Sequence, residues 1–552
     1  MEKNLLALWQ AVPSGEIKKE KIVEVLDLSA KQATRYIRKW AAEGWFNYIS
    51  GRGRGNSSEL QWLKNVEEIY EKQLMEIIEQ EAVETSSKYL MYDWSIDSKT
   101  RLINKFRSKF GFFQHTSDVD KLIIPRKYAV TTMHPLEAAD IQSANVVATI
   151  FNRLVAVDAA GKVLPELAHS WDVSATRLRM YLKKDVKFHD DSFLTAEDVA
   201  ECLNRLRTHV HYKELWEPVE KIQAVGPLVI DFDFPSGCSY CLQMLGLMNS
   251  SIYKESQGQL IGTGSFYADN SHDFKTVLHA FKDFFGERPL LDRVEFVQVP
   301  SDFDFVYRSA TQPDTEKTFM VESDSGVGVV IMNAFRNSDI RRKEVRDYLH
   351  WIIAKYRHEI VQYNPRALPN HQSMLIGQNQ HYQVEEVKRP IFTKPLIIKT
   401  TDYLEKATAW IQAAFEKEGI PIEIQHLPFE EMLFDNGIDQ QADLFIRGEV
   451  FEMNQNFSFY HFLKNGNSPL VKMINTDENL SHLLEKYVHS PFEEWLSLNL
   501  KVEKALMDSS ILIPLYYEKR QIPFSADLMN INISHFGYVD FSKLWVRPTI
   551  AG

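Results

Sequence analysis

At 552 residues the chain is too long for one hydrophobic core and divides into several domains. A net charge of -12 and a pI near 5.8 exclude wholesale coating of nucleic acid, so any such contact is local. The 44% hydrophobic and 25% charged content is that of a soluble globular protein, and three cysteines are too few for a disulfide framework.

The start, MEKNLLALWQAVPSGEIKKE, has neither a long apolar run nor a small-residue cleavage site, and no lipobox-like cysteine follows. No apolar run reaches the roughly 18 residues that span a bilayer. The expectation is a cytoplasmic protein with no membrane contact.

Leu5, Leu6, Leu8 and Trp9 predict a short helix over Lys3 to Val12, ended by Pro13-Ser14-Gly15. Lys18 to Leu26 predicts a second helix. Ser29 is a good N-cap for a third, Ala30 to Glu43, and Gly44 a good stop. In that third helix Ala33, Tyr36, Ile37 and Trp40 form a buried stripe, while Lys31, Gln32, Thr34, Arg35 and Arg38 fall outward. Between Ser29 and Arg54 stand six basic residues (those above, Lys39, Arg52 and Arg54) against one acid, Glu43. Two strand-like stretches, Trp45 to Ile49 and Glu59 to Trp62, flank the glycine- and arginine-rich tip Gly51 to Asn56. Three helices and such a hairpin predict a winged helix-turn-helix over residues 1–64. A helix fits the major groove and a thin basic wing lies along the backbone. The partner is then double-stranded DNA, and the contact set is Lys31, Gln32, Thr34, Arg35, Arg38, Lys39, Arg52 and Arg54.

Residues 65–120 read as a helical connector. Val66, Ile69, Tyr70, Ile77 and Ile78 recur at helical spacing in a strongly acidic stretch that should face away from DNA. That helix suits either a homodimer contact or a spacer packed on the head. Leu102, Phe106, Phe110 and Phe113 predict another helix, suited to docking on the next domain.

From Lys121 short strands alternate with helices, the pattern of α/β lobes. Leu164 to Leu206 holds a strand hairpin around Arg177 to Leu182, a turn at His189-Asp190-Asp191-Ser192, and a helix capped by Thr195 with Asp198 in its first turn. Pro165, Leu167, Ala168, Ser170 and Trp171, then Val186, Phe188, His189 and Asp190, then Leu194, Thr195, Ala196, Asp198 and Val199 follow one another in order. This series resembles the signature of the oligopeptide/dipeptide-type (family 5) solute-binding proteins of ABC transporters. Asp191 stands where that family usually has glycine. Gly262-Thr263-Gly264-Ser265-Phe266 is similar to the family's G-T-G-P-F, and Arg288 to Val294 to the segment that opens its second lobe. Asp339 to Arg346, Ile513 to Tyr516 and Asp540 to Trp545 match later segments. The resemblance implies a two-lobed, hinged, periplasmic-binding-protein-like (class II) domain over residues 121–548. In such folds Trp171, His189 and Asp190 are more often core and turn residues than ligand contacts.

One departure bears on the ligand. The family's acidic D-Y-P-D-P-like segment is replaced by Ala442 to Asn454 without its D-P pair. Glu452 is the candidate to replace the missing acid, and Arg447 would suit an anion. A winged helix fused to such a body resembles the SgrR-type transcriptional regulators. That resemblance implies a cytosolic DNA-binding regulator whose body senses a small solute, a sugar phosphate, peptide or similar. The alternative is the binding component of a peptide transporter. No Ser-His-Asp order, metal-spaced His pair, P-loop or dinucleotide fingerprint is present, so no catalytic residue, cofactor or metal is expected. Cys238 and Cys241 form a CxxC with no further ligands nearby and read as packed thiols.

Overall fold

The protein is seen here as a computed structural model describing the whole chain except residues 52–56, 82, 114–118, 270–274, 301–302, 304–317, 370–371, 379–381, 429–430, 432–441, 453, 466–468, 527, 535–537 and 547–552. The head contains α1 (Lys3–Ala11), β1 (Gly15–Ile17), α2 (Lys19–Leu26), α3 (Ala30–Ala42), β2 (Phe46–Ile49) and β3 (Ser58–Trp62). The strands form an antiparallel sheet in the order β1-β3-β2, with Gly15 opposite Leu60 and Phe46 opposite Trp62. Asp27 closes α2 in the left-handed region, and Gly44 does the same after α3 at φ 73°. The three predicted helices and the winged hairpin are therefore present. Leu5, Leu6, Leu8, Trp40, Phe46 and Leu60 are fully buried between them.

Next come α4 (Val66–Gln80), α5 (Val83–Leu90), α6 (Ile96–Phe106) and β4 (Gly111–Phe113). The apolar stripe of α4, Val66, Tyr70, Leu74 and Ile78, is buried in the same cluster as the head. This is the packing expected of a spacer on the head. Its acids are engaged by α6: Arg101 Nε lies 2.6 Å from Glu71 and Lys105 Nζ 2.5 Å from Glu79. The helix expected to run through Phe110 and Phe113 stops at Phe106. Gly111 takes φ 122°, and residues 111–113 pair antiparallel with β5 (Lys121–Arg126), so sheet pairing overrides the helical spacing.

Two larger sheets organise the described residues of the first lobe, beside two short hairpins. One has five strands, in the order Phe266–Asp269, Lys275–Ala280, Arg293–Gln298, β5, β4, with β5 parallel to Arg293–Gln298. Arg288 to Val294 therefore leads into a central strand of the first lobe. The second lobe's sheet begins later, at the strand Thr318–Met332, since Arg293–Gln298 pairs in parallel with β5 in the first lobe. The other sheet is antiparallel, Lys221–Gly226, Val229–Asp233, Arg177–Leu182, Ala168–Val173. The second lobe has a six-stranded sheet: Ala367–Leu368, Leu512–Ser525, Thr318–Met332, Leu444–Glu449, Leu396–Thr401, Ile422–Leu427. The helices Lys343–Tyr356 and Glu405–Lys417 share a core with it.

Connector and first lobe share apolar packing. Ile123, Val297, Val299 and Phe303 belong to the head's cluster, with the Phe110 and Phe303 rings 5.2 Å apart. Ser87 Oγ on α5 donates to the Gln298 carbonyl. Lys275 Nζ, its side chain 7% exposed, reaches Glu84 on α5 at 3.0 Å and Glu295 at 3.4 Å.

The signature motifs are seen to build the turns. His189 Nε2 is 3.0 Å from the Gly264 carbonyl, and burial pushes the ring down to about 4. Asp190 pairs with Lys254 at 2.9 Å and accepts from Ser192. Asp191, in the family's glycine position, adopts φ 65°, a conformation aspartate tolerates better than most residues. A Cβ on Gly264 would lie 2.5 Å from the Thr149 carbonyl oxygen, so the motif's second glycine permits close backbone approach.

Candidate functional site

The first surface is the outward face of α3. Ser29 caps the helix: its Oγ accepts from Gln32 N at 3.4 Å while the Gln32 side chain accepts from Ser29 N at 3.2 Å. Gln32 is thus committed to the cap. The Thr34 hydroxyl donates to the Ala30 carbonyl at 2.7 Å. At about 100° per residue, Lys31, Arg35 and Arg38 fall within about 60° of one another, opposite buried Ala33, Ile37 and Trp40. All three are exposed, and none has an ion-pair partner among the described residues. Arg35 lies over the Tyr36 ring at 5.6 Å.

Lys39, also expected on this face, is bound to Glu2 at 2.7 Å and lies 3.8 Å from Glu43. Arg52 and Arg54 lie outside the described residues. The stem beneath them is fixed by Ser58 Oγ, which accepts from Tyr48 OH at 2.9 Å and from Gly51 N at 3.3 Å.

The second region is the seam between the lobes, where Arg447 and Glu452 sit. Arg447 is half-buried on the strand Leu444–Glu449, two residues from Glu449 and so on the same face. Enclosure pushes the Glu449 carboxyl up to about 7 against the opposing pull of Arg447. Glu452 lies past the strand end and crosses to the first lobe, accepting from Met248 N at 3.2 Å. Burial raises its carboxyl too, with Arg153 pulling the other way. Arg153 donates to the Gly246 carbonyl at 2.9 Å and lies 3.4 Å from Glu166. Arg447 and Glu452 thus have different surroundings, one beside Glu449 and the other against Met248 of the first lobe.

Sequence reading missed most of this seam. Ser239 donates through its backbone N–H to the Val488 carbonyl at 2.8 Å and through its hydroxyl to the Tyr487 carbonyl at 2.6 Å. Tyr240 packs with Phe457, Tyr460 and Trp495, and Tyr487 stacks on Tyr460 with ring centroids 4.4 Å apart, all of them buried. His461 stacks 6.1 Å from Tyr212 and is pushed down to about 4 by burial. The contacts of Tyr212, Ser239 and Tyr240 join segments more than two hundred residues apart, and no local pattern marks them.

Among the described residues no group of three or more His, Cys, Asp or Glu is placed to hold a metal. Cys202, Cys238 and Cys241 are buried free thiols, all pushed up by burial, Cys241 to about 11. Such thiols are poor nucleophiles. No helix among the described residues is long and apolar enough to cross a membrane.

A winged helix-turn-helix head packed on a two-lobed solute-binding fold is the class of protein this geometry defines. Comparison with known proteins agrees part by part. Residues 3–107 match the family described as sugar transport-related sRNA regulator N-term, and residues 162–305 match bacterial extracellular solute-binding proteins, family 5 middle. The HTH-type transcriptional regulator SgrR of Photorhabdus laumondii is 22% identical over 571 aligned positions, covering 99% of both chains. The uncharacterized protein YhjP of Bacillus subtilis is 24% identical, covering 96% of both. Among solved structures, DppA from Helicobacter pylori in complex with the peptide STSA superposes with a TM-score of 0.64 at 18% identity, over 77% of this chain and 98% of that one. NikA from Brucella suis in complex with Fe(III)-EDTA gives 0.62 at 14%, over 77% and 100%. The chain has the SgrR-type architecture: an SgrR N-terminal domain joined to a family 5 solute-binding domain.

Proposed function

We propose that this chain is a cytoplasmic transcriptional regulator that binds duplex DNA through its head and senses a small solute between the lobes of its body. The observation that carries the reading is the stripe of Lys31, Arg35 and Arg38, three exposed cations on one face of a rigidly capped helix. Such a stripe suits phosphates and guanine edges in the major groove. The full-length relatives named as SgrR regulators support it. The solute is a sugar phosphate, a peptide or a molecule of similar size, and the reading assigns the chain no catalytic step. A solute that prefers one arrangement of the lobes by about 1–3 kcal/mol would change DNA affinity roughly 5- to 150-fold.

The test uses the full-length chain and a duplex it selects from a randomised pool. Arg35→Ala with Arg38→Ala should abolish the gel shift, and in any residual binding lower the log–log salt slope by about 1.8, or about 0.9 per phosphate contact. Unchanged affinity and slope would refute the assignment. A thermal-shift screen of sugar phosphates and peptides then identifies the solute, since a ligand specific to the folded state raises the melting temperature with concentration.

A further inference from the structure

Lys39 departs from its neighbours. It lies on α3 one turn beyond Arg35, about 80° round the helix from Lys31, on the flank of the DNA-facing stripe. It is nearly half exposed, at 49%, and its length would let it reach a phosphate. Instead its ammonium is held 2.7 Å from Glu2, with Glu43 at 3.8 Å. Both acids favour its charged form, the hydrogen bond to Glu2 most of all.

Glu2 is itself held from several sides. Its other carboxylate oxygen accepts from the indole N–H of buried Trp40 at 3.2 Å. Its backbone N–H donates to the Tyr70 hydroxyl of α4 at 3.1 Å. Beside it, the Met1 carbonyl accepts from the Tyr92 hydroxyl at 3.3 Å. Tyr92 belongs to the turn after α5, and that turn, with Pro300 of the first lobe, lines one surface cleft. A chain of contacts therefore runs from the turn after α5 through Tyr92, Met1 and Glu2 to the C-terminal half of α3.

We propose that Glu2 is a positioning residue of the DNA-binding face: it keeps Lys39 off the duplex and locks the end of α3 to α4 and the connector, so that loosening this contact adds one phosphate clamp. The proposal rests on the DNA-binding reading of α3 and adds a means of changing grip without moving the recognition stripe. Release of Glu2 exchanges an internal ion pair for a contact with the DNA backbone. Phosphate contacts carry no sequence information directly, so the released form binds all duplexes more tightly and discriminates among them less.

The experiment compares full-length wild type, Glu2→Gln, Lys39→Gln and the double variant on a random-sequence duplex across a salt series. Glutamine at position 2 keeps an acceptor for Trp40, and melting curves confirm the fold. Glu2→Gln should bind more tightly, with a salt slope steeper by about 0.9. Lys39→Gln should match wild type, and the double variant should return to the wild-type slope. An unchanged slope in Glu2→Gln overturns the proposal. So does a steeper slope that persists in the double variant, since Lys39 would then not be the group released. Weakened binding by Lys39→Gln alone places Lys39 on DNA from the outset and overturns it independently. A wild type that binds no duplex defeats the DNA-binding reading itself, and this proposal with it; silent Glu2 variants of a wild type that does bind defeat the proposal only.

Discussion

Lys275→Met probes how firmly the head is held to the body. The Lys275 ammonium lies between Glu84 of α5 and Glu295 of the first-lobe sheet, at 3.0 and 3.4 Å, and its side chain is 7% exposed. Breaking a fully buried pair costs about 3–5 kcal/mol because a buried charge is left uncompensated. Here the cost is smaller. Glu295 keeps Arg293 at 3.0 Å, and Glu84 is partly open to water. A loss of about 2 kcal/mol is expected, roughly a 30-fold shift in a local opening equilibrium. Unfolding of a multidomain chain gives no single stability value, so the assay is hydrogen exchange of the α5 amides. They should exchange about 30-fold faster in the variant, while the strands of the second lobe are unaffected. Adding Glu84→Met should restore part of the protection, because removing both partners is less costly than removing one. Unchanged exchange in α5 would refute the reasoning.

Glu503 provides a pH test. It is fully buried, accepts from Ser373 Oγ at 2.9 Å and from the Met374 N–H, and burial raises its carboxyl to about 7. A carboxyl whose folded value exceeds its unfolded value of 4.5 favours folding at low pH; that contribution declines as pH rises from 4.5 to about 7, by at most about 1.4 kcal/mol per unit. Glu503→Gln should therefore gain on wild type in hydrogen-exchange protection of the helix Trp495–Asp508 as pH rises from 5 to 7; a variant-to-wild-type ratio that does not change with pH would refute this. His461, pushed down to about 4, acts in the opposite sense: its stability is present above 6.5 and is lost as pH falls toward 4. Thr195→Ala removes the capping box of the helix Ala196–Thr208, in which Asp198 N donates to Thr195 Oγ1 at 3.2 Å. A loss of about 1 kcal/mol is expected, read as faster exchange in that helix's first turn.

What could be read from the sequence was local. Ser29 with Gln32 and Thr195 with Asp198 sit three residues apart, the spacing a helix start requires, and both became capping boxes. Asp191 stood in a turn position, and the structure gives it the left-handed conformation glycine would have taken. What was not legible depended on distant partners. Lys39 looked like one more DNA contact because Glu2 stands 37 positions earlier. Glu452 looked free to meet a ligand, but its Met248 partner is 204 residues away. Phe106, Phe110 and Phe113 keep helical spacing, yet the last of them is in a strand, since β5 competes for that backbone and no local pattern shows it.

Strand β4 has a further consequence. It belongs by sequence to the connector, yet it occupies the outer position of the first-lobe sheet, beside β5. Cutting the chain at residue 121 to isolate the two-lobed body would leave one edge of β5 unpaired, with Val297 and Val299 stripped of apolar cover. A naked sheet rim is a template on which a second copy can build. A soluble fragment for ligand studies should start before Gly111, and one that starts later should self-associate. The connector is therefore also the outer border of the first-lobe sheet, which ties the two parts of the chain together.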